Sequence, residues 1–277
     1  MCPVGNFWYA NITIAIISSP SPVHPSTQLI DSVLNSLSYL DLDYTKCEII
    51  IYLDGYVVKE KNESKRGRIT PARADNYELF ITNLQSKYGS FSNVKIIRSP
   101  SHTGYAFGVR KCLEETLTSY ALVLQHDRVF IQPFSGMPNI MTLMEATPHI
   151  RYVGFPSVTN KTHIAQILYR YQLDCLATPD VQLPLGEKDY FLQPCVFWFD
   201  SNHFVHVKRY LEIFRPYINL FPELRQFLGL KRIKKLVMRP GDFIEDRFGQ
   251  MQRDILTNLI VNYYTPRGGG GGGGGGG

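Results

Sequence analysis

The segment Val94 to Pro133 reads VKIIRSPSHTGYAFGVRKCLEETLTSYALVLQHDRVFIQP, and it limits the fold more than any other part of the chain. An apolar run passes into a Ser/His/Thr-Gly turn, and a helix carrying Arg110 follows. A second apolar run, Tyr120 to Leu124, then stops abruptly at Gln125-His126-Asp127. Short continuous apolar runs bounded by polar turns fit strands buried on both faces, as in a parallel sheet. A buried strand that ends at a carboxylate is how an open α/β sheet presents a ligand site, because such sites lie beyond the carboxyl ends of the strands.

The same alternation extends in both directions. Asn11 to Ser18 (NITIAIIS) reads as the first buried strand, followed by a Ser/Pro-rich turn to Pro25. Leu29, Ile30, Val33, Leu34, Leu37 and Leu40 recur at helical spacing, with Ser26 or Thr27 as the cap. Cys47 to Leu53 is the second strand and ends at Asp54-Gly55. Tyr56 to Ala72 is polar and basic and reads as an exposed loop. Asn76 to Tyr88 is a helix closed by Gly89. The third strand is Val94 to Ile97, its helix is Ala106 to Ser119, and the fourth strand is Tyr120 to Leu124. A helix over Met137 to Ala146 and a strand over Tyr152 to Pro156 follow. Beyond Asn160 the pattern loosens: Tyr190 to Asp200 is strand-like and Ser201 to Phe214 helical. A last helix starts near Asp242, with Ile244, Phe248, Met251, Ile255 and Leu259 on one face. The expectation is an α/β fold, a mostly parallel central sheet with flanking helices. One domain is expected over residues 1–267, in two halves of about 10–135 and about 136–267. The unbroken glycine run Gly268 to Gly277 buries nothing and is a flexible tail.

Hydrophobic residues make up 44% and charged residues 19%, which excludes an intrinsically disordered chain. The net charge of +5 is concentrated near Lys231, Arg232, Lys234 and Lys235. It suits an anionic small ligand and is too small to argue for nucleic acid. The basic run Lys231 to Arg239 reads as a solvated face, a diphosphate clamp or a peripheral contact with an anionic lipid surface. Cys2, Cys47, Cys112, Cys175 and Cys195 are far apart and form no C-x-x-C, so neither a zinc site nor a disulfide framework is expected. Reduced thiols place the chain in a reducing, cytoplasmic compartment. No secretory signal and no membrane span is visible, which leaves the basic run as the route to membrane association. Walker-type loops, G-x-S-x-G and H-E-x-x-H are absent from the sequence.

The order of these features resembles the nucleotide-sugar glycosyltransferases of the A-type fold, family-2-like, over roughly residues 10–260. In those enzymes the turn and helix usually read N-x-G-x-x-x-A-x-N and the next strand ends in Asp-x-Asp. Here Gln125 stands in place of the first Asp and His126 fills the middle, so the motif is degraded and Asp127 alone matches. The resemblance implies a Rossmann-like nucleotide-diphospho-sugar transferase (GT-A) fold and an inverting, hexosyltransferase-like enzyme. It implies a nucleotide-diphospho-sugar donor, and an acceptor hydroxyl on a glycan, protein or lipid. Ser18 and Pro20 would then lie in the nucleotide-cradling turn and Asp54 against the base. Gly104 and Arg110 would face the donor, Gln125 would bond a ribose hydroxyl, and Asp127 would ligate Mg²⁺ or Mn²⁺. Asp246 would be the catalytic base, with Glu245 as its neighbour or an acceptor contact.

The chemistry asks for these residue types. A departing diphosphate gathers negative charge that a cation on hard oxygen ligands offsets, and displacement by a hydroxyl needs a carboxylate to take its proton. Simpler readings stand beside each. Asp54-Gly55 is also an ordinary turn, and Asp242 with Glu245 is also a capping box. Trp198, Phe197, Phe199 and Tyr190 would stack on a sugar or pack a core. His203 and His206 would be a third metal ligand or solvent-facing helix residues. Because Gln125 and His126 bring no carboxylate, a non-catalytic relative that binds a nucleotide sugar or glycan is the alternative function.

Overall fold

The computed structural model describes residues 8–20, 24–60, 67–157, 165, 169, 183–184, 191–192, 198–214, 241–244, 247 and 249. At its centre lies β1 (Ile12–Ser18), every residue of which is buried. A β-branched run with no polar face can satisfy water on neither side, so it must be covered on both. Parallel strands β2 (Glu48–Leu53) and β6 (Tyr120–Gln125) flank it. Short pieces β3 (Val57–Val58) and β4 (Arg68–Ile69) pair with each other outside the main sheet, as do β8 (Leu183–Pro184) and β9 (Phe191–Leu192). With β5 (Val94–Arg98), β7 (Tyr152–Gly154) and β10 (His203–His206), the main sheet has the order β5-β2-β1-β6-β10-β7. It is parallel from β5 to β6, and β10 runs antiparallel between β6 and β7. The expected mostly parallel α/β architecture is present.

Alternate residues of β1 feed two separate cores. Ile12, Ile14 and Ile16 pack with α1 (Gln28–Ser36), α2 (Pro71–Tyr88) and α4 (Met137–Ala146) through Val33, Phe80 and Ile140. Ala15 and Ile17 point the other way, onto α3 (Tyr105–Glu115) and α5 (Val207–Leu211) through Val109 and Tyr210. Within the first layer Asp31 of α1 takes a hydrogen bond from Lys87 at 2.6 Å and another from Tyr88, tying α1 to the end of α2.

Several elements differ from the sequence expectation. The span Ser201 to Phe214 is not one helix: it opens with β10 and becomes helical only at Val207. Phe204 and Val205 enter opposite cores, so this stretch is a strand buried on both faces, held by ladder bonds to β6 and β7. The helix expected from Asn76 begins at Pro71, because proline at the first helical position has the right φ and lacks only an N–H that the helix would not use. Tyr56 to Ala72 therefore contains β3, β4 and the first residues of α2. Helix α3 stops at Glu115 rather than Ser119, where Thr116 turns to extended backbone. The free cysteines Cys47 and Cys112 are buried, and burial pushes the Cys47 thiol up to about 12, so it stays protonated. No helix among the described residues is long and apolar enough to cross a membrane. The Lys231–Arg239 run, the Glu245-Asp246 pair and the glycine tail lie outside the described residues, as do Phe197 and most of the expected last helix.

Phe204 has no exposed surface and stacks on Tyr120 at 5.5 Å between ring centroids. Phe204→Ala opens a cavity between β10 and β6 and should cost about 3–5 kcal/mol of unfolding free energy, read from the midpoint of urea denaturation.

Candidate functional site

The chain leaves β1, builds outward through β2 to β5, and then crosses back to β6 on the other side of β1. Such a reversal is where open α/β sheets place their ligand crevices, beyond the carboxyl ends of the strands. Because the four strands are parallel, their carboxyl-terminal turns share one rim. Ser18, Ser19 and Pro20 close β1, Asp54 follows β2, residues 99–104 follow β5, and Gln125-His126-Asp127 closes β6.

Asp54 is only 3% exposed, and its polar atoms are all engaged. Its N–H donates to Ser18 O at 3.0 Å and its carbonyl accepts from the Tyr77 hydroxyl at 3.0 Å. Oδ1 accepts from the Gly55 N–H (3.0 Å), the Thr103 N–H (2.8 Å) and the Thr103 hydroxyl (2.9 Å). Oδ2 accepts from the Gly104 N–H at 3.0 Å and lies 2.7 Å from His102 Nδ1. The Thr103 hydroxyl proton goes to Asp54, so the Tyr52 hydroxyl, 2.5 Å away, donates to Thr103. Burial pushes the Asp54 carboxyl up, but the contact with His102 and the hydrogen bonds from Thr103 outweigh it and hold it below its ordinary value.

Beside Asp54 an open cleft of about 470 Å³ is lined by Asp54, Gly55, Tyr56, Arg98, Ser99 and Pro100. Glu78 of α2 fixes two of its walls, accepting from the Tyr56 hydroxyl at 2.6 Å and from Arg98 Nη2 at 2.5 Å. A ring face, a guanidinium and a proline around one opening suit a flat, partly polar ring.

The end of β6 is held from the segment that precedes β10. The Gln125 amide donates to Asp200 O at 2.7 Å, and the Asn202 side chain accepts from Gln125 N–H at 3.3 Å and donates to Arg128 O at 2.9 Å. His126 is anchored through its N–H to Ile17 O at 3.2 Å, and burial lowers its basicity despite the charge of neighbouring Asp127. Asp127 itself is exposed. The buried Tyr105 hydroxyl lies by Gln125 and Asp200, and burial, followed by the charge of Asp200, raises its pKa well above the usual value.

A late segment reaches the same rim. Gly241 N–H donates to Thr103 O at 2.7 Å, and Asp242 O accepts from Ala106 N–H at 3.4 Å. Phe243 stacks on Tyr105 at 6.0 Å, and Ile244 is fully buried in the core beneath α3. The Asp242 carboxylate is bound on both oxygens by Arg247, at 2.8 and 3.0 Å.

The structure thus brings Ser18, Pro20, Asp54, Gly104, Gln125 and Asp127 to the ends of four neighbouring strands. Arg110 is on α3, with its Nε donating to Glu114 one turn further along the helix at 2.7 Å. Glu245 and Asp246 lie outside the described residues, directly after Ile244 in the chain. His203 is a buried strand residue rather than a solvent-facing helix position, with ring nitrogens 2.6 Å from Ser201 O and 3.0 Å from the Tyr210 hydroxyl. Burial pushes its pKa down to about 4, which leaves it neutral. Trp198 and Phe199 are both buried, and Trp198 packs against Tyr152 and Tyr210. Sequence reasoning missed His102, Thr103, Tyr105, Arg98 and Asn202. The S-H-T-G turn offered a signal for two of them, and the polar run D-S-N-H after an aromatic stretch one for Asn202.

Among the described residues no group of three or more His, Cys, Asp or Glu converges as a metal site. One exposed carboxylate, Asp127, does not fit an ion caged by protein. It does fit a Mg²⁺ or Mn²⁺ that arrives on phosphates, since such ions are commonly held by one or two carboxylates plus the substrate.

No family model matches the chain, and no curated protein does. Solved structures show a distant likeness. The mannosyltransferase PcManGT from Pyrobaculum calidifontis, in complex with GDP-Man and Mn²⁺, is 12% identical over 88% of this chain and 51% of its own, with a TM-score of 0.41. Glucosyl-3-phosphoglycerate synthase from Mycobacterium tuberculosis, in complex with Mn²⁺, UDP and glucosyl-3-phosphoglycerate, is 15% identical over 95% and 83%, with a TM-score of 0.36. S. aureus TarS 1–349 in complex with UDP-GlcNAc is 13% identical over 91% and 73%, also at 0.36. The chain spans 20% of another S. aureus TarS chain and about half of the mannosyltransferase. The architecture itself follows from the strand order given above.

Asp54→Ala leaves the Gly55, Thr103 and Gly104 N–H groups without their acceptor and removes the carboxylate beside His102, and should cost about 3–5 kcal/mol. The folded pKa of Asp54 is lowered, so its contribution is complete above its unfolded value of about 3.9 and lost as pH falls through the folded value. The stability gap between wild type and Asp54→Ala should be constant from neutral pH to about pH 5 and close only in that acid range, as measured by chemical denaturation across pH.

Proposed function

We propose that the protein is an inverting glycosyltransferase that moves a sugar from a nucleotide-diphospho-sugar to an acceptor hydroxyl. The observations that support this reading are that Asp54 beside the cleft and the exposed carboxylate of Asp127 both follow the carboxyl ends of parallel strands, and that Gly241, in the segment before Glu245-Asp246, bonds the turn after β5.

The nucleoside enters the cleft between Tyr56, Arg98 and Pro100. Since the polar atoms of Asp54 are engaged, the base meets Arg98, the Tyr56 ring and backbone groups. The diphosphate extends from there across the ends of β1 and β6 toward Asp127. A Mg²⁺ or Mn²⁺ bound there with the diphosphate would offset the charge that develops on the leaving group. His126, held neutral by burial, adds no positive charge of its own. Asp246 takes the proton of the acceptor hydroxyl as it attacks the anomeric carbon opposite the diphosphate, and Glu245 contacts the acceptor. One domain over residues 1–267, with donor and acceptor halves, belongs to the same reading.

A binding protein without turnover is the second reading, and one observation favours it. The Gln125 amide is turned into the wall at Asp200 O, which leaves Asp127 as the one carboxylate exposed at the end of β6.

The two separate in one set of measurements. Nucleotide sugars presented at about a hundred times their dissociation constant should stabilise the fold by about 2.7 kcal/mol, read as a thermal shift that Mn²⁺ enhances in wild type and not in Asp127→Asn. Asp127→Asn and Asp246→Asn should each lower turnover by about 10²–10⁴-fold. Full turnover in both variants ends the transferase reading, and a thermal shift without turnover in wild type favours the binding protein.

A further inference from the structure

His102 sits where three stretches of chain meet. Its Nδ1 lies 2.7 Å from Asp54 Oδ2, at the end of β2. A methyl group added to Gly67 would come within 2.3 Å of the His102 ring, and one added to Gly241 would come within 3.5 Å of His102 Nε2. The ring is therefore wedged between the backbone entering β4 and the backbone of the late segment. Its neighbours bind the same segment: Thr103 O accepts from the Gly241 N–H, and Gly104, at φ +79, approaches Gly241 so closely that a Cβ there would lie 2.6 Å from Gly241 Cα.

The Asp54 carboxylate is committed to this turn. It has about four good acceptor directions, and four donors, from Gly55, Thr103 (two) and Gly104, bond to it while His102 Nδ1 packs 2.7 Å from Oδ2. Its work is therefore on the protein. It orients Thr103 and Gly104 beside the His102 ring, and Thr103 O in turn binds the Gly241 N–H.

We propose that Asp54 and His102 are positioning residues that lock the turn after β5 to the Gly241–Ile244 segment, from which the acidic pair Glu245-Asp246 follows in the chain. The functional half of this statement rests on the transferase reading; the structural half does not. The Asp54 carboxylate makes its hydrogen bonds within the turn, and His102 is not among the residues lining the cleft. They act by holding, from the donor side, the segment from which the proposed base follows.

The test uses the full chain and two independent readouts. Without any ligand, His102→Ala should speed hydrogen–deuterium exchange of the peptide containing Gly241 by about tenfold or more while leaving the α4 peptide unchanged. His102→Asn, whose side-chain N–H can stand where Nδ1 does, should restore most of the protection. Gly104→Ala, which forces the turn and the segment apart, should mimic His102→Ala. In turnover, His102→Ala should lower kcat by on the order of a hundredfold, with the donor KM little changed and the Asn variant largely rescued. Unchanged exchange at Gly241, or faster exchange spread equally over α4, overturns the lock. Faster local exchange with kcat intact overturns the positioning role. If wild type turns over no donor, the transferase reading fails, and the exchange arm still decides the lock.

Discussion

A carboxylate that is almost wholly removed from water must be solvated by protein, and Asp54 meets that demand with donors drawn from its own turn and from residues about fifty positions away. An isolated buried charge would be prohibitive. The chain therefore folds the turn after β5 back onto the end of β2, and once there the turn has no freedom. The Thr103 carbonyl is left facing outward at a defined place, and Gly241 takes it. A desolvation requirement at one side chain thus fixes the relative placement of β2, the start of α3 and a segment more than a hundred residues downstream.

That hub is effective because of what lies beneath it. The two-faced burial of β1 makes the sheet a rigid septum between two cores, so its strand ends cannot shift independently. The strand order reverses at β1, which is where an open sheet of this kind places its ligand crevice. Antiparallel β10 completes the wall on the β6 side: its preceding residues, Asp200 and Asn202, grip Gln125 and the turn after it. Flexible loops at a rim tend to blur a site, whereas here three of the four turns are tied to neighbouring elements through hydrogen bonds to fixed backbone or buried side chains.

Much of this was legible in the chain. Short β-branched runs ending in polar residues gave β1, β2, β5 and β6 nearly to the residue, and the spacing of leucine, isoleucine and valine gave α1. β10 was not legible, because His-Phe-Val-His is too short for periodicity to tell strand from helix, and its identity is decided by ladder bonds to β6 and β7. The start of α2 was hidden by a basic stretch that reads as loop until Pro71 is recognised as a first helical residue. At the site, the location of Asp54 was readable and its work was not. Asp-Gly announces a turn, but nothing local says that the carboxylate will be filled by Thr103, Gly104 and His102. Arg110 shows the reverse limit: a basic residue on the expected helix, whose partner Glu114 was four positions away in the sequence all along.

The glutamine at position 125 has a physical reason that the sequence conceals. Its amide donates to the carbonyl of Asp200, a residue only 6% exposed, and both lie by the buried Tyr105 hydroxyl. An aspartate there would offer no donor to that carbonyl. A neutral donor is what the wall requires once Asp200 occupies it. The exposed carboxylate at this strand end is that of Asp127.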